Sequence, residues 1–129
     1  LRDIGIKYAG LRGRTDAAII ERNGIRYGMC AFGHNSYTLK HKELWTVKGI
    51  LDSLRANADV VIVSFHGGAE GKQYSHLPYG KEEYLEEDRG SLRDFAHFCV
   101  DNGADIVYGH GPHVVRCVEV YKGKFIATA

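Results

Sequence analysis

Hydrophobic residues are unevenly spaced along this chain, and their spacing predicts both strands and helices. Ala17–Glu21 and Ile25–Phe32 are apolar stretches separated by an Asn-Gly dipeptide, which is typical of a tight β-hairpin. Val60–Phe65 is a continuous run of β-branched and aromatic residues, typical of a strand that is buried on both faces. Ile106–Tyr108 predicts a further short strand in the second half of the chain.

Two other segments repeat their apolar residues at steps of three and four, which predicts amphipathic helices. The apolar positions of the first segment are Leu44, Val47, Leu51, Leu54 and Ala58. Those of the second segment are Leu92, Phe95, Ala96, Cys99 and Val100. Ser91 and Asp94 at the start of the second segment resemble a capping box, with Asp in place of the preferred Glu. Asn102–Gly103 predicts the end of this helix.

The last part of the chain predicts a second hairpin, in which Val114–Tyr121 and Lys124–Thr128 flank a Lys-Gly dipeptide. Upstream of this hairpin the elements follow the order strand, helix, strand, helix, strand. That order implies consecutive right-handed crossover connections and therefore predicts a largely parallel central sheet. The sequence thus indicates one continuous α/β unit, without internal repeats or low-complexity linkers.

Three histidines, His34, His66 and His110, come at the carboxyl ends of predicted strands. Those ends lie at one edge of a parallel sheet, with neighbouring strands ~4.8 Å apart, so the side chains can converge there. His113 follows in a turn that contains two glycines and a proline. Neutral imidazoles are preferred ligands of borderline transition metals, so this edge is a candidate metal site. The alternative for His110 and His113 is a turn whose imidazoles hydrogen-bond neighbouring carbonyl groups. His34 matches no motif, and a structural turn is expected there.

A segment of 24 residues between His66 and Ser91 shows no clear periodicity. A connection of that length inside a compact domain is usually a functional lid or a binding loop. It contains the acidic run Glu82–Asp88, for which the simpler interpretation is a solvated turn with a short helix.

Composition narrows the class of protein. The chain has 129 residues, of which 44% are hydrophobic, and this is enough for one domain with a core. Lys and Arg (17) nearly balance Asp and Glu (16) without forming a basic stripe, so a nucleic-acid partner is not expected. No apolar run approaches the ~18 residues of a membrane span. Three scattered cysteines, Cys30, Cys99 and Cys117, predict buried free thiols.

Both ends of the chain have the appearance of interrupted elements. Leu1–Ile6 resembles a helix end that leads into a strand, and Phe125–Ala129 ends within a predicted strand. We therefore expect residues 1–129 to form a single partial domain that is truncated at both ends. A signal peptide or a membrane anchor ahead of this segment stays open.

Three segments, Val61–Glu70, Asn102–Val114 and Val118–Lys124, carry a family resemblance. They contain, in this order, a strand ending in H-x-G-x-E, a GAD-strand-GHxPH block and an E-x-Y-x-G-K hairpin. In this the chain resembles the CapA-type poly-gamma-glutamate (capsule) synthesis proteins of bacteria. Gly5–Gly10 and Asn23–Gly28 also fit the middle section of that family, so the resemblance spans nearly the whole chain.

The resemblance implies a metallophosphatase-like (calcineurin-like) fold, a layered α/β/β/α sandwich of which this chain is the C-terminal part. Such domains bind two divalent transition metal ions, here Mn, Fe or Zn, at the carboxyl edge of the sheet. By position, His66, His110 and His113 match the metal-binding histidines, and His66 or His113 is the candidate proton donor if it is not a ligand. The family's other ligand segments, Gly-Asp, Asn-x-Glu and Asn-Asn-His, are absent from this chain.

Further residues are assigned to the surroundings of the site. Glu70 matches the family's acidic residue, and orienting a histidine N–H is a better assignment than direct ligation. A solvent-exposed loop carboxylate is the alternative for it. Arg116 is a candidate for holding an anionic substrate through its fork of donors, against the alternative of an ordinary surface arginine. The glycines expected to permit close backbone approach to ions or substrate are Gly67, Gly68, Gly109 and Gly111.

Three residues near the second helix and the last hairpin receive structural assignments instead. His97 falls on the polar side of the helix, and Glu119 and Tyr121 alternate on a half-buried strand. Hydrogen-bonded structural roles are expected for Glu119 and Tyr121.

Two functions are consistent with these residues and with the resemblance. The first is a metal-dependent hydrolase that acts on a phosphoester or a related anionic polymer linkage. The alternative is a non-catalytic, metal-containing accessory that binds polyglutamate or a partner in polymer assembly or export. The resemblance implies contact with polymer-synthesis machinery and a cell-envelope or membrane-associated location, and it leaves a cytoplasmic location open.

Overall fold

The computed structural model describes residues 2–33, 38–40, 43–67, 80, 82–84 and 87–128. A short 3-10 helix at Arg2–Ile4 precedes the main elements. These elements are β1 (Ala17–Arg22), β2 (Ile25–Phe32), α1 (Leu44–Asn57), β3 (Val60–His66), β4 (Glu82–Tyr84), β5 (Glu87–Gly90), α2 (Leu92–Asp101), β6 (Ile106–His110), β7 (Val118–Tyr121) and β8 (Lys124–Ala127).

A six-stranded sheet in the order β1-β2-β3-β6-β8-β7 dominates the described part of the chain. Strands β2, β3, β6 and β8 are mutually parallel, while β1 and β7 join the two edges as antiparallel strands. The helices α1 and α2 form the crossovers from β2 to β3 and from β3 to β6. The predicted α/β class, the largely parallel sheet and the C-terminal hairpin are confirmed.

Both predicted hairpins turn on a left-handed dipeptide. Asn23 and Gly24 have φ of 51° and 78°, and Lys122 and Gly123 have φ of 50° and 77°. Two positive φ values in a two-residue loop match the right-handed twist of the paired strands. The segment Val114–Cys117, predicted to be part of a strand, lies outside β7. It follows a turn with positive φ at Gly111 and His113, so the chain reaches the edge of the sheet only near Cys117.

Two further details differ from the sequence prediction. The Ser91 hydroxyl donates a hydrogen bond to the Asp94 carboxylate (2.7 Å) and does not cap a backbone N–H of α2. The capping-box prediction was therefore wrong in its bonding, although the helix begins where it was expected. In the acidic segment, β4 and β5 pair as an antiparallel hairpin where a short helix was expected. Extended backbone in both halves of this pair excludes a helix at those residues.

The core lies between one face of the sheet and the two helices. Phe32, Phe65 and Phe95 meet edge to face, with ring centroids 5.7 Å apart for Phe32–Phe95 and 5.4 Å for Phe65–Phe95. Cys30 and Cys99 are buried in this layer as free thiols, as predicted, while Cys117 is free and half-buried. Burial raises the pKa of Cys30 to about 12, so this thiol stays protonated and unreactive.

The opposite face of the sheet, here called the open face, is also apolar. Its residues alternate with those that face the helices, as the strand period requires. Six of its side chains are exposed, from 36% for Tyr108 to 75% for Val120: Ile20, Ile25, Tyr108, Val118, Val120 and Phe125. An apolar patch of that extent on a sheet is typical of a surface that another layer covers.

Neither of the two described helices is long and apolar enough to cross a membrane.

Asp105 joins the amino ends of the parallel strands. Its carboxylate accepts hydrogen bonds from Arg55 (2.7 Å), from Lys124 (2.7 Å) and from the Val61 amide (2.9 Å). These donors belong to α1, β8 and β3, and Asp105 itself directly precedes β6. Burial acts to raise the pKa of Asp105, but the hydrogen bonds from Lys124, Val61 and Arg55 outweigh it and lower the pKa below its usual value.

We predict that Asp105→Asn lowers the free energy of unfolding by about 1.5–3 kcal/mol, the usual range for hydrogen bonds to a charged group. Urea unfolding at pH 7 measures this loss. Asp52→Asn is the matched control, because Asp52 is 56% exposed and forms an i,i+4 pair with Lys48 on the surface of α1, so its loss should be below about 0.5 kcal/mol.

The lowered pKa of Asp105 also predicts that its contribution to stability depends on pH. A carboxyl group whose pKa is lower in the folded state stabilises that state above its unfolded pKa of about 3.9. This contribution is lost as the pH falls through the folded pKa. The difference in stability between the unaltered chain and Asp105→Asn should therefore be constant from pH 7 to about pH 5 and shrink below about pH 4. A difference that persists unchanged to pH 2 contradicts the assignment.

Candidate metal centre

His66 and His110 are the last residues of β3 and β6, and the strand register places them opposite one another. Their ring centroids lie 5.1 Å apart with an angle of 67° between the ring planes. Because side chains alternate along a strand, both imidazoles lie on the open face, at the carboxyl edge of the sheet. His66 is half-buried and His110 is exposed. The structure thus brings together two of the three histidines that the sequence assigned to a metal.

Phe65 and Gly109, one residue earlier on the same strands, hold this register on the helix side. A Cβ atom at Gly109 would lie 2.3 Å from Cζ of Phe65, so the phenyl ring occupies the space that a side chain would need. Directly beyond the strands, the Gly67 amide donates a hydrogen bond to the His110 carbonyl oxygen (3.0 Å). The backbone that carries the imidazole pair is therefore fixed by the Phe65–Gly109 packing before the histidines and by the Gly67–His110 hydrogen bond after them.

The chain turns sharply after His110. Gly111 has φ of 122°, and a Cβ atom there would lie 2.8 Å from the Gly67 carbonyl oxygen and 3.3 Å from the His66 ring. Only glycine fits this position, because both the φ value and the space exclude a side chain. The close approaches of Gly109 and Gly111 are to protein atoms of β3 and its end. Approach of these glycines to an ion or a substrate stays a prediction.

His113 lies on the far side of this turn. It is exposed, and its φ of 58° is in the left-handed region, which is uncommon for residues other than glycine. Within the described ranges, no three His, Cys, Asp or Glu side chains are grouped so that they could bind a metal. The ligand role of His113 therefore stays a prediction, and so do the roles of His66 and His110. Glu70, Gly68 and His34 lie outside the described residues.

The spacing of the imidazole pair fits a shared ion. A metal–nitrogen bond of about 2.0–2.1 Å puts each ring centroid about 3.2 Å from the ion. Two imidazoles on one ion then have centroids about 4.5 Å apart at a right angle and about 5.2 Å apart at the tetrahedral angle. The observed 5.1 Å between His66 and His110 lies within this range. The Nδ1 atom of His66 is shielded from solvent, as expected of a group that faces the interior of a site.

Two polar residues near this edge are buried. Arg116 is only 8% exposed, so the alternative of an ordinary surface arginine does not hold. Ser64 is 6% exposed and lies on the open face two residues before His66, where sequence reasoning did not single it out. A lone hydroxyl within an otherwise apolar strand was the signal that could have identified it.

A second group of polar side chains lies on the helix side of the sheet, between α2 and β7. The ring of His97 stacks on Tyr121 with centroids 3.9 Å apart, and His97 Nε2 is 2.8 Å from a carboxylate oxygen of Glu119. Tyr121 donates a hydrogen bond to Asp101 (3.1 Å), and the hydrogen bond from Lys122 lowers the pKa of Asp101. The hydrogen-bonded structural roles predicted for Glu119 and Tyr121 are confirmed.

Comparison with known proteins identifies the family. The model of the bacterial capsule synthesis protein family, PGA_cap, matches residues 1–127. The chain belongs to this family. The capsule biosynthesis protein CapA of Bacillus anthracis is 39% identical over 71 residues, which are 55% of this chain and 14% of that protein. The PGA biosynthesis protein CapA of Bacillus subtilis (strain 168) is 32% identical over 77 residues, 60% of this chain and 17% of that protein. The chain thus spans less than a fifth of these relatives.

A solved structure with the same fold supports the architecture. A Staphylococcus aureus protein described as a 5′-nucleotidase, in complex with alpha-ketoglutarate, superposes with a TM-score of 0.60 at 14% sequence identity. The superposition covers 88% of this chain and 23% of that protein. This chain therefore has a metallophosphatase-like fold, and the family resemblance stated from the motifs is confirmed.

We predict that Gly109→Ala destabilises the fold and separates the imidazole pair. Phe65 is fully buried against Phe95 and cannot make room for the new methyl group, so overpacking should cost about 1–3 kcal/mol. Thermal unfolding measures the loss, and imidazole NMR signals of His66 and His110 report the change at the edge.

Gly49→Ala is the matched control for this substitution. Gly49 lies inside α1, and a Cβ atom there would meet nothing within 4 Å beyond the helix's own backbone. Alanine at this position should therefore stabilise the helix by about 0.5–1 kcal/mol. If Gly109→Ala were as stable as the unaltered chain and left both imidazole signals in place, the ring of Phe65 would not set this register.

Proposed function

We propose that this PGA_cap chain contributes one side of a metallophosphatase-type site that hydrolyses a phosphoester or a related anionic polymer linkage. The observation that carries the proposal is the imidazole pair, His66 and His110, at the carboxyl edge of the parallel sheet. Ligands of open α/β sheets bind at that edge. The 5′-nucleotidase description of a protein with the same fold supports a phosphoester as the substrate class.

His66 and His110 are the residues that would hold a divalent ion, with His113 as a third ligand from the adjoining turn. Mn, Fe and Zn all accept neutral imidazole nitrogen, and the complete domain would hold two ions. A bound ion would supply Lewis-acid polarisation of the scissile linkage. Where His66 or His113 is not a ligand, its ring can deliver a proton to the leaving oxygen. Glu70 would orient a histidine N–H, and Arg116 would favour an anionic substrate through its permanent charge.

We also propose that residues 1–129 form part of a domain that is completed by other polypeptide of a longer protein. The support is the open face, whose apolar side chains are exposed around Tyr108 and Phe125 while the imidazole pair lies at its margin. A second layer on this face would bury those side chains. It would also bring further groups alongside His66 and His110.

A second candidate is a non-catalytic accessory that binds polyglutamate or a partner in polymer assembly or export, with metal in a structural role. The descriptions of the Bacillus relatives as biosynthesis proteins favour it, because they name synthesis and not hydrolysis. Membership of the capsule synthesis family supports contact with polymer-synthesis machinery and a cell-envelope or membrane-associated location, and a cytoplasmic location stays open.

We predict that the chain binds Mn²⁺ or Zn²⁺ and that His66→Ala and His110→Ala each lower the bound metal by at least tenfold at limiting metal, since each removes a ligand. Metal content per chain, measured by elemental analysis after dialysis, tests this. His97→Ala is the control, because His97 lies on the helix side and pairs with Glu119. Unchanged metal content in both site variants would contradict the assignment.

Hydrolysis is tested separately on the complete domain with a generic phosphodiester, with and without chelator. About two metal equivalents with turnover that the chelator abolishes favours the hydrolase. Stoichiometric metal without turnover of phosphoester or amide substrates favours the accessory.

A further inference from the structure

Thr128 stands out because it is a polar residue with almost no exposure, at the carboxyl end of β8. It is 1% exposed, and its hydroxyl makes two hydrogen bonds to one residue, Cys117. The hydroxyl donates to the Cys117 carbonyl oxygen (3.1 Å) and accepts from the Cys117 amide (3.3 Å). The Thr128 amide also donates to the same carbonyl oxygen (2.9 Å). Three hydrogen bonds thus converge on the backbone of one residue.

Cys117 is the last residue of the segment that carries His113 and Arg116. The first residue of this segment is Gly111. It follows His110, whose carbonyl oxygen accepts a hydrogen bond from the Gly67 amide. The segment 111–117 is therefore tied at its beginning to the end of β3 and at its end to Thr128. Between these ties it lies outside the strands, and His113 and Val115 are exposed.

The position of Thr128 in the sheet connects these ties to the metal centre. Tyr108 pairs with Ala127 in the register of β6 and β8, so Thr128 lies level with Gly109, one residue before His110. The two ends of the segment 111–117 are thus fixed to neighbouring strands at the same edge of the sheet. These two ties fix where the segment that carries His113 begins and where it ends.

We infer that Thr128 is a positioning residue for His113, acting through the backbone of Cys117. This inference rests on the proposed function in so far as His113 is a metal ligand. Groups that orient ligands without touching the metal typically contribute ten- to hundredfold to metal affinity. Valine has nearly the shape of threonine and lacks the hydroxyl, so Thr128→Val removes the two side-chain hydrogen bonds and keeps the bond from the residue-128 amide to the Cys117 carbonyl oxygen.

The experiment compares Thr128→Val with Thr128→Ser and Ile126→Val in the full 129-residue chain. Serine restores the hydroxyl, while Ile126 is a buried residue of β8 whose side chain carries no hydrogen-bonding group. Titration with Zn²⁺ should show at least about tenfold weaker binding for Thr128→Val, and binding within about threefold of the unaltered chain for the other two. Measurements are made well below the lowest melting temperature of the set, so that all variants are folded.

Amide hydrogen exchange without metal provides the second readout. The amides of residues 113–117 should exchange at least about tenfold faster in Thr128→Val than in Ile126→Val, because two of the three hydrogen bonds that hold Cys117 at this end of the segment are lost. Zn²⁺ affinity in Thr128→Val equal to that of the unaltered chain overturns the positioning role. If the unaltered chain itself binds no Zn²⁺, the proposed metal centre fails. In that case, unchanged exchange in Thr128→Val shows that the Thr128 hydroxyl does not hold the segment 111–117 either. Faster exchange shows that it holds the backbone of the segment but has no role in metal binding.

Discussion

The contact between the ring of Phe65 and the bare backbone of Gly109 is the constraint on which the carboxyl edge depends. It sets β3 and β6 in one register, because any side chain at Gly109 would collide with the ring. A shift of one residue would send every side chain of a strand to the other face of the sheet. The same ring packs edge to face on Phe95 of α2, so the helix layer and the placement of the imidazoles depend on one aromatic side chain.

The two ends of the parallel strands have different properties. At the amino ends, the Asp105 carboxylate joins α1, β3 and β8 through charged hydrogen bonds. At the carboxyl ends, the strands lead into turns that carry His66, His110 and His113. The charged hydrogen bonds of Asp105 thus lie at the end opposite the candidate metal centre. The apolar open face lies between the two ends.

Most of the fold could be predicted from the spacing of apolar residues, because strands and helices differ in period and the order of elements restricts the topology. The meeting of His66 and His110 also followed, since parallel strands place their carboxyl ends together. The acidic segment was predicted less well, because charge alone does not distinguish a short helix from the β4–β5 hairpin. The burial of Arg116 was not predicted, since an isolated arginine in a sequence carries no signal of its surroundings.

By itself, the sequence determined the α/β class, the two tight hairpins, the family and the residue types that could bind a metal, because these depend on local backbone preferences and on motif order. Only the tertiary structure decided the register that opposes His66 and His110, the approach of Gly111 to Gly67 and the tie between Thr128 and Cys117. Each of these depends on contacts between residues that are distant in the chain. Such contacts are set by how a ring, a hydroxyl or a missing side chain fits a neighbouring strand, and no periodicity in the sequence encodes that fit.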